Sequence, residues 1–275
     1  MPEGPEIHRS ADRLRRLLLA AALDEVEFAF PHLRDFAETL KGRRVRAVEA
    51  RGKAILTFFD NDLVLYTHNQ LYGRWQIWRR GGLPQSSRSL RVLLRNAKGA
   101  ALLYSASEIA LLSEAELAQH PYLLRLGPDP LHPQVDADGL LQRYREGRFG
   151  RRRLGALLLD QGFIAGIGNY LRSEILHVSG LHPQLRPSDC SEVQLRLLAE
   201  NTSKLSIQSY AHAGITNDLE RVASLKALGL PRRQFRHHVF ARAGQPCYGC
   251  AQAIERIVDQ GRRLYLCPRC QVFSG

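Results

Sequence analysis

The chain of 275 residues is 44% hydrophobic and 24% charged, a composition that is typical of globular proteins and argues against a fibrous or disordered chain. No segment approaches the roughly 18 consecutive apolar residues that a membrane span requires, and the apolar run 17–23 is too short for a signal peptide, so we expect a cytoplasmic protein that binds no membrane. Lysine and arginine number 39 against 27 acidic residues, and the net charge of +12 favours a polyanionic partner, with nucleic acid ahead of a membrane surface.

The first part of the chain predicts one helix followed by short strands. The helix is expected over residues 7–22, and the strands over 44–50, 54–59, 63–67, 75–78, 90–94 and 100–104. Arg51-Gly52-Lys53 is a candidate tight turn between the first two strands. Strands of this length and spacing, separated by turn-forming residues, are typical of an antiparallel sandwich or barrel. We therefore predict a β-sandwich domain over residues 1–125.

The pattern changes after three prolines at positions 128, 130 and 133, which we interpret as a linker. From residue 136 to about residue 228 apolar side chains recur at helical spacing, as at Leu195, Leu198 and Ala199. From about Pro231 the sequence predicts a short basic hairpin. The prediction is an α+β multidomain protein, with the β-sandwich over 1–125, a helical domain over 126–230 and a cysteine-bearing hairpin over 231–275.

Four of the five cysteines lie in the last 29 residues with the spacing C-x2-C-x16-C-x2-C. Disulfides would require an oxidising compartment, and nothing in the sequence supports export. Four thiolates in two knuckles favour one tetrahedral structural zinc ion, with an iron–sulfur centre as the main alternative. The predicted metal ligands are Cys247, Cys250, Cys267 and Cys270, and Cys190 is expected to be a spare thiol.

A glycine-containing segment at 161–170 separates two helical patterns. Gly166 and Gly168 permit a close backbone approach, and Asn169 is predicted to be the N-cap of the following helix. A helix N-terminus after such a turn can bind phosphate. A plain connection between two helices fits the same pattern equally well.

The N-terminus begins with Met1, Pro2 and Glu3. Removal of Met1 would leave Pro2 as a secondary amine that condenses with an aldehyde to an iminium, because an α-amine is less basic than a lysine side chain. Glu3 would then supply a carboxyl group as acid or base. Taken alone, the segment fits a disordered proline-rich terminus better.

Four motifs in one order resemble the formamidopyrimidine-DNA glycosylase/endonuclease VIII family of base-excision repair enzymes. They are MPEGPEI at 1–7, RGK at 51–53, LLLDQGFIAGIGNYLRSEIL at 157–176 and the cysteine pattern at 247–270. The resemblance covers essentially the whole chain. The N-terminal motif and the segment Asn69-Gln70-Leu71-Tyr72-Gly73 look like the bacterial endonuclease VIII branch.

The resemblance implies which residues carry the chemistry. Pro2 matches the nucleophile that attacks the sugar C1′, and Glu3 matches the general acid/base. Lys53 matches a lysine of a hairpin turn that contacts phosphate and assists the reaction. Arg262 matches the finger arginine that grips phosphate, with its neighbour Arg263 as a rival for that contact.

The resemblance also implies a set of DNA-binding residues outside the chemistry. They comprise a wedge that fills the space left by an everted base, a phosphate contact, a supporting carboxylate and a residue that holds the N-terminal segment. Gln70, Leu71 and Tyr72 would form the wedge, and Asn169 would contact phosphate. Glu6 would be the supporting carboxylate, and Glu174 would hold the N-terminal segment. Without the resemblance, Leu71 and Tyr72 would be interpreted as core residues after a strand.

The function that the resemblance implies is a bifunctional DNA glycosylase/AP lyase. It would remove oxidised pyrimidines from duplex DNA and cut the strand by β,δ-elimination through a Schiff base on Pro2. It would act as a monomer with one structural zinc ion and no redox or nucleotide cofactor.

Three alternatives to this function stay open from the sequence. One keeps the chemistry with 8-oxoguanine or formamidopyrimidines as main substrate, because Ala213 stands where relatives often carry arginine and residues 215–229 look longer than expected. The second is a damaged-DNA-binding protein without turnover. The third, a zinc-ribbon module of transcription or translation, explains only the last 45 residues.

Overall fold

The computed structural model describes residues 2–19, 21–79 and 81–273, which form two compact units. The first unit comprises residues 6–125 together with Pro2. The second comprises the chain from residue 126 onward together with Glu3–Pro5. Among the described residues, no helix is both long and apolar enough to cross a membrane.

The first unit consists of one long helix, several short helices and two antiparallel sheets. The sheets each have four strands, in the orders β1-β6-β7-β5 and β2-β3-β4-β8. The helices are α1 (Gly4–Leu18), α2 (Pro31–Arg34), α3 (Phe36–Leu40), α4 (Glu114–Ala118) and α5 (Pro121–Leu124). The strands are β1 (Glu25–Phe28), β2 (Val45–Arg51), β3 (Ala54–Phe59), β4 (Leu63–His68), β5 (Arg74–Trp78), β6 (Leu90–Asn96), β7 (Gly99–Tyr104) and β8 (Glu108–Ser113).

One hydrophobic core holds the first unit together. It collects Leu14 and Leu17 from α1 with buried side chains from both sheets, such as Ile55 of β3 and Leu103 of β7. Because α1 presents apolar residues at helical spacing and the strands alternate, each element buries one face in this core. The result is the predicted antiparallel sandwich.

The predicted strands match β2 to β7, and the differences lie at short elements. β1 and β8 are missing from the prediction: β1 alternates polar and apolar residues but over only four positions, and the polarity of β8 is mixed. The predicted helix over 7–22 begins earlier and ends earlier, at Gly4 and Leu18. It stops there because Leu19 already pairs with Val45 of β2.

The second unit is helical and ends in a two-stranded hairpin. Its helices are α6 (Ala137–Arg145), α7 (Leu154–Leu157), α8 (Asn169–Val178), α9 (Glu192–Ala211), α10 (Leu219–Ala227) and α11 (Arg232–Phe235), and its strands are β9 (Glu255–Asp259) and β10 (Arg262–Leu266). Leu264 and Leu266 of β10 are buried in the same core as α6, α8 and α9. The cysteine-bearing hairpin therefore packs as part of the helical unit, and the α+β fold class is confirmed.

Candidate active site and nucleic-acid interface

The carboxylate of Glu3 is bound to the N-terminus of α8. Its Oε1 accepts a hydrogen bond from the backbone N–H of Tyr170 at 2.8 Å, and its Oε2 accepts from Gly168 at 2.9 Å and Leu171 at 3.2 Å. The first N–H groups of a helix have no partner within the helix and favour negative charge. Glu3, only 2% exposed, is therefore fixed by backbone donors.

This contact decides how α8 begins. The residue before the helix is Gly168, with no side-chain cap, and Asn169 is the first helical residue. The predicted N-cap role of Asn169 is wrong, because Glu3 takes the donors that an N-cap side chain would bind. A β-carbon on Gly168 would lie 2.5 Å from the carboxyl carbon of Glu3, so only glycine fits there. The anion at this helix N-terminus is thus supplied by the chain itself.

The side chain of Asn169 joins α8 to the hairpin β9-β10. Its Nδ2 donates to the carbonyl of Arg263 at 2.6 Å, and its Oδ1 accepts from the guanidinium of Arg172 at 2.8 Å. Arg172 also donates to Asp259 at 2.8 Å, and both of these charged side chains are buried. Loss of one partner from a buried ion pair costs about 3–5 kcal/mol, so the hairpin is firmly attached. No local pattern in the sequence pointed to Arg172 or Asp259.

Two residues that were predicted to contact phosphate, Arg262 and Asn169, lie where the hairpin β9-β10 is bound to α8. Arg262 is the first residue of β10 and is exposed, and the next residue, Arg263, holds Asn169 through its carbonyl. Arg262 and Asn169 therefore lie at the same end of α8. Arg263 is exposed as well, so burial does not separate the two arginines as phosphate ligands.

Glu174 has a different place from the one expected. Its side chain is fully buried, and its carboxylate accepts hydrogen bonds from the hydroxyl of Thr216 and from the backbone N–H groups of His238, Val239 and Phe240 at 2.6–2.9 Å. The expectation that Glu174 binds DNA or holds the N-terminal segment is wrong, because both oxygens are used within the core. Glu174 instead fixes the segment 238–240 that leads into the cysteine hairpin.

A short chain of hydrogen bonds links this carboxylate to Thr216 and His237. Thr216 donates its hydroxyl hydrogen to Glu174, so the contact of 2.8 Å between Thr216 Oγ1 and His237 Nδ1 must carry the hydrogen of the imidazole. Burial lowers the pKa of His237 to about 4, against the opposing field of Glu174. His237 is thus a neutral hydrogen-bond donor at neutral pH.

In the first unit, Lys53 lies in the two-residue turn between β2 and β3 and is only 7% exposed. Its backbone N–H donates to the hydroxyl of Tyr122 at 2.9 Å. The Tyr122 ring packs against His68, with ring centroids 5.1 Å apart. Lysines are rarely buried without a specific need for the charge, so the position of Lys53 is unusual for a turn cation.

The predicted wedge is the loop between β4 and β5. Leu71 and Tyr72 are 60% and 71% exposed, which excludes the alternative that they are core residues. The loop closes through a hydrogen bond of 2.7 Å from Gly73 N–H to the carbonyl of Asn69. Two large apolar side chains at the tip of a closed turn form a compact projection from the sheet.

The two remaining predicted residues lie at the start of the chain. Pro2 and Glu6 are both half-buried, and Glu6 is in the first turn of α1. Pro2 is one peptide bond from the fixed Glu3. Met1 lies outside the described residues, so its expected removal stays a prediction.

The four clustered cysteines have the geometry of a metal site. Their sulfur atoms all lie within 4.8 Å of one another, and three of the pairs are 3.4–3.9 Å apart. A tetrahedral zinc ion with bonds of about 2.3 Å places its sulfur ligands ~3.8 Å apart, whereas a disulfide would need ~2.05 Å. Cys247, Cys250, Cys267 and Cys270 can therefore hold one metal ion.

The arginine cluster at 143–153 is largely neutralised by its own surroundings. Arg143 donates to Glu146 and to the carbonyl of Phe163. Arg145, Arg148 and Arg152 form ion pairs with Glu192, Glu146 and Asp160. In the folded chain most of the charges in this arginine-rich segment thus have acidic partners.

A β-sandwich, a helical unit and a four-cysteine hairpin with exposed arginines at its turn define a DNA glycosylase of the helix–two-turns–helix class. The chain matches the model of the formamidopyrimidine-DNA glycosylase N-terminal domain over residues 1–107 and that of the formamidopyrimidine-DNA glycosylase H2TH domain over residues 126–217. The chain therefore belongs to the formamidopyrimidine-DNA glycosylase family, as the sequence predicted.

Individual relatives agree with this assignment. The chain is 44% identical to proteins called Endonuclease 8 from Shigella sonnei and Escherichia coli, over 98% of this chain and 100% of theirs. The fold is similar to that of Lactococcus lactis Fpg in complex with DNA that contains an oxidized pyrimidine, with a TM-score of 0.80 and 21% identity over 99% of this chain and 100% of that one. A complex of the same enzyme with abasic-site DNA gives a TM-score of 0.80 at 20% identity, over 98% of this chain and 100% of that one.

Proposed function

We propose that the chain is a bifunctional DNA glycosylase and AP lyase that removes oxidised pyrimidines from duplex DNA. The observation that carries the proposal is Glu3, locked by three backbone N–H groups onto the start of α8. That contact fixes the residue adjacent to Pro2, as a terminal nucleophile requires. The 44% identity to proteins called Endonuclease 8 favours oxidised pyrimidines over oxidised purines.

The reaction begins with attack of the Pro2 nitrogen on C1′ of the damaged nucleotide. The bond between C1′ and the base breaks, the base leaves with its electron pair and takes up a proton, and an iminium forms between Pro2 and the opened sugar. Glu3 moves protons at the sugar as acid and base. The iminium acidifies the proton on C2′, and its loss drives β-elimination of one phosphate and then δ-elimination of the other.

Attack at C1′ requires the damaged nucleotide to leave the base stack. Leu71 and Tyr72, exposed at the tip of their loop, are suited to fill the space that the everted base leaves, with Gln70 at the base of the tip. Unstacking costs a few kcal/mol, and this cost is offset because the bent duplex contacts more of the protein surface. The proposed partner is damaged double-stranded DNA, and we propose that a monomer binds it.

Three side chains would hold the phosphates of the bent strand: Arg262 and Asn169 near the N-terminus of α8, and Lys53 in the turn between β2 and β3. Arg262 is exposed at the hairpin turn, and the Nδ2 of Asn169 has a second N–H beside the one given to Arg263. Lys53 adds a charge from the first unit. We accordingly assign residues 1–125 as the catalytic β-sandwich domain, 126–230 as the helical domain and 231–275 as the zinc finger.

A structural zinc ion in the cysteine cluster would fix the hairpin that carries Arg262. Thiolates alone form the ligand set, which leaves no open coordination position for substrate. The two knuckles are preformed by backbone hydrogen bonds, such as Ala251 N–H to the carbonyl of Cys247. The proposed cofactor is therefore one Zn²⁺ with no part in the chemistry.

Borohydride trapping tests the proposal. With thymine-glycol duplex, reduction during turnover should yield a covalent protein–DNA species that mass spectrometry maps to Pro2. A chain with an N-terminal tag should give no such species, because an amide nitrogen cannot form an iminium. Excision at the normal rate by the tagged chain would show that the nucleophile is another residue, with Lys53 the first candidate.

A duplex panel decides the substrate class. We expect excision of thymine glycol and dihydrouracil to exceed excision of 8-oxoguanine. The reverse order would favour the purine alternative, and specific binding of every damaged duplex without excision would favour a damage-binding protein.

A further inference from the structure

One side of the wedge loop is held by hydrogen bonds between Gln70, within the loop, and two residues outside it. Gln70 has a φ of +48°, in the left-handed region that a residue with a β-carbon rarely adopts. Its side-chain amide is bound at both ends: Nε2 donates to Oε2 of Glu108 at 2.9 Å, and Oε1 accepts from the hydroxyl of Ser107 at 2.6 Å. These two contacts offset the backbone strain at Gln70.

Glu108 is itself anchored in the sheet. Its Oε1 accepts from the hydroxyl of Tyr66 at 2.8 Å, and its Oε2 contacts Nδ1 of His68 at 3.0 Å. Tyr66 is fully buried in β4, so the anchor is rigid. Burial alone would raise the pKa of Glu108, but hydrogen bonds from Gln70, His68 and Tyr66 outweigh it and lower the pKa below its usual value. The group at the base of the wedge is thus a carboxylate at neutral pH.

The opposite side of the loop has its own support. Arg88 donates to the carbonyl of Tyr72 at 2.9 Å. A β-carbon on Gly73 would lie 2.5 Å from the carbonyl oxygen of Asn69, so the turn is closed as tightly as the backbone permits. The backbone that carries Leu71 and Tyr72 is therefore held on both sides before any DNA is bound.

We infer that Glu108 is a positioning residue for the wedge: through Gln70 it holds Leu71 and Tyr72 in the orientation that enters the duplex. This inference rests on the proposed function, since it assigns a role within the glycosylase reaction. A rigid wedge needs no ordering when it enters the duplex, so base eversion should be faster. A single-stranded abasic substrate has no stack to open and needs no wedge.

The test compares two substrates in the full chain: a thymine-glycol duplex and a single-stranded oligonucleotide with one abasic site. Hydrogen bonds to a charged group contribute enough that their loss should reduce the rate on the duplex about tenfold in Glu108→Ala. The rate on the single strand should change less than about twofold. Glu114→Ala is the matched control, because Glu114, the first residue of α4 just after β8, also accepts a side-chain hydrogen bond, from Arg46, but lies away from the wedge.

A second variant tests whether Glu108 acts through Gln70. Gln70→Ala removes the same contact from an exposed position and should lower the duplex rate to the same extent. The double variant should be no slower than Gln70→Ala alone, and Glu108→Gln, which keeps one acceptor oxygen, should recover most of the rate.

The outcomes separate the two proposals. The positioning role would be overturned if the wild-type chain cuts both substrates and the ratio of the duplex rate to the single-strand rate is unchanged in Glu108→Ala and Gln70→Ala. It would also be overturned if the losses of the two single variants multiply in the double variant. A wild-type chain that cuts neither substrate would overturn the proposed function, and the positioning role with it.

Discussion

Replacement of Glu174 by glutamine should destabilise the second unit severely. Four donors converge on its two carboxylate oxygens, the hydroxyl of Thr216 and three consecutive backbone N–H groups at 238–240. Glutamine offers one oxygen and one NH₂ group. If the NH₂ replaces Oε1, two backbone N–H groups face another donor; if it replaces Oε2, the Thr216 hydroxyl can turn and accept, and one backbone N–H faces another donor. The side chain is buried, and water cannot replace the missing acceptors.

The size of the effect follows from the hydrogen bonds that glutamine cannot accept. At least one hydrogen bond is lost, at roughly 1.5–3 kcal/mol, and the others exchange a charged acceptor for a neutral one, at roughly 1 kcal/mol each, which together amount to about 3 kcal/mol or more. Burial would raise the pKa of Glu174, but the charges that His237 and His238 carry when protonated, and the hydrogen bonds from Thr216 and Val239, lower it to about 2. The direction of this shift agrees with a carboxylate that the same hydrogen bonds hold in the folded state. For a unit of this size the melting temperature should fall by about 6–12 °C.

Thermal and urea unfolding of the full chain measure this change, with Glu192→Gln as the control. Glu192 is an exposed residue that pairs with Arg145 on the surface, so its loss should alter the free energy of unfolding by less than about 1 kcal/mol. Segment 238–240 leads into the hairpin, so Glu174→Gln should also accelerate loss of metal to a chelator. If Glu174→Gln unfolds within 1 kcal/mol of Glu192→Gln, the reasoning from converging donors is refuted.

Three further predictions concern pH, metal and salt. Because the folded chain keeps His237 neutral down to about pH 4 while the unfolded chain takes up that proton near 6.5, the free energy of unfolding should fall by about 2 kcal/mol between pH 6.5 and pH 5, and His237→Gln should flatten that slope in urea titrations. Cys267→Ser should release about one zinc ion per chain by metal analysis and weaken DNA binding, while circular dichroism shows that the strands of the first unit stay folded. Arg262→Ala should reduce the slope of log K against log salt by about one in binding titrations, and Arg256→Ala, an exposed arginine of the same hairpin, should leave it unchanged if Arg262 is the phosphate ligand.

Local signals in the sequence sufficed wherever a structural element depends on neighbours along the chain. The six predicted strands emerged from short apolar runs of about 4–7 positions that turn-forming residues separate. The cysteine cluster could be predicted because two C-x2-C pairs at this separation are the typical sequence spacing of a four-cysteine zinc site. The motifs that resemble the glycosylase family identified the class before any contact was known. These features need no information about distant residues.

Contacts between distant residues could only be seen in the folded chain. Glu3 meets the start of α8 across 165 positions, Glu174 meets the segment before the hairpin across 64, and Glu108 meets Gln70 across 38. No periodicity or spacing in the sequence encodes such pairs, because each depends on how the helices and strands pack. Asn169 illustrates the difference: its residue type predicted an N-cap, but tertiary packing brought Glu3 to the same donors and left the Asn169 amide to hold the hairpin. The sequence thus determined which elements form and which chemistry is present, and packing decided which of the polar side chains hold one another in place.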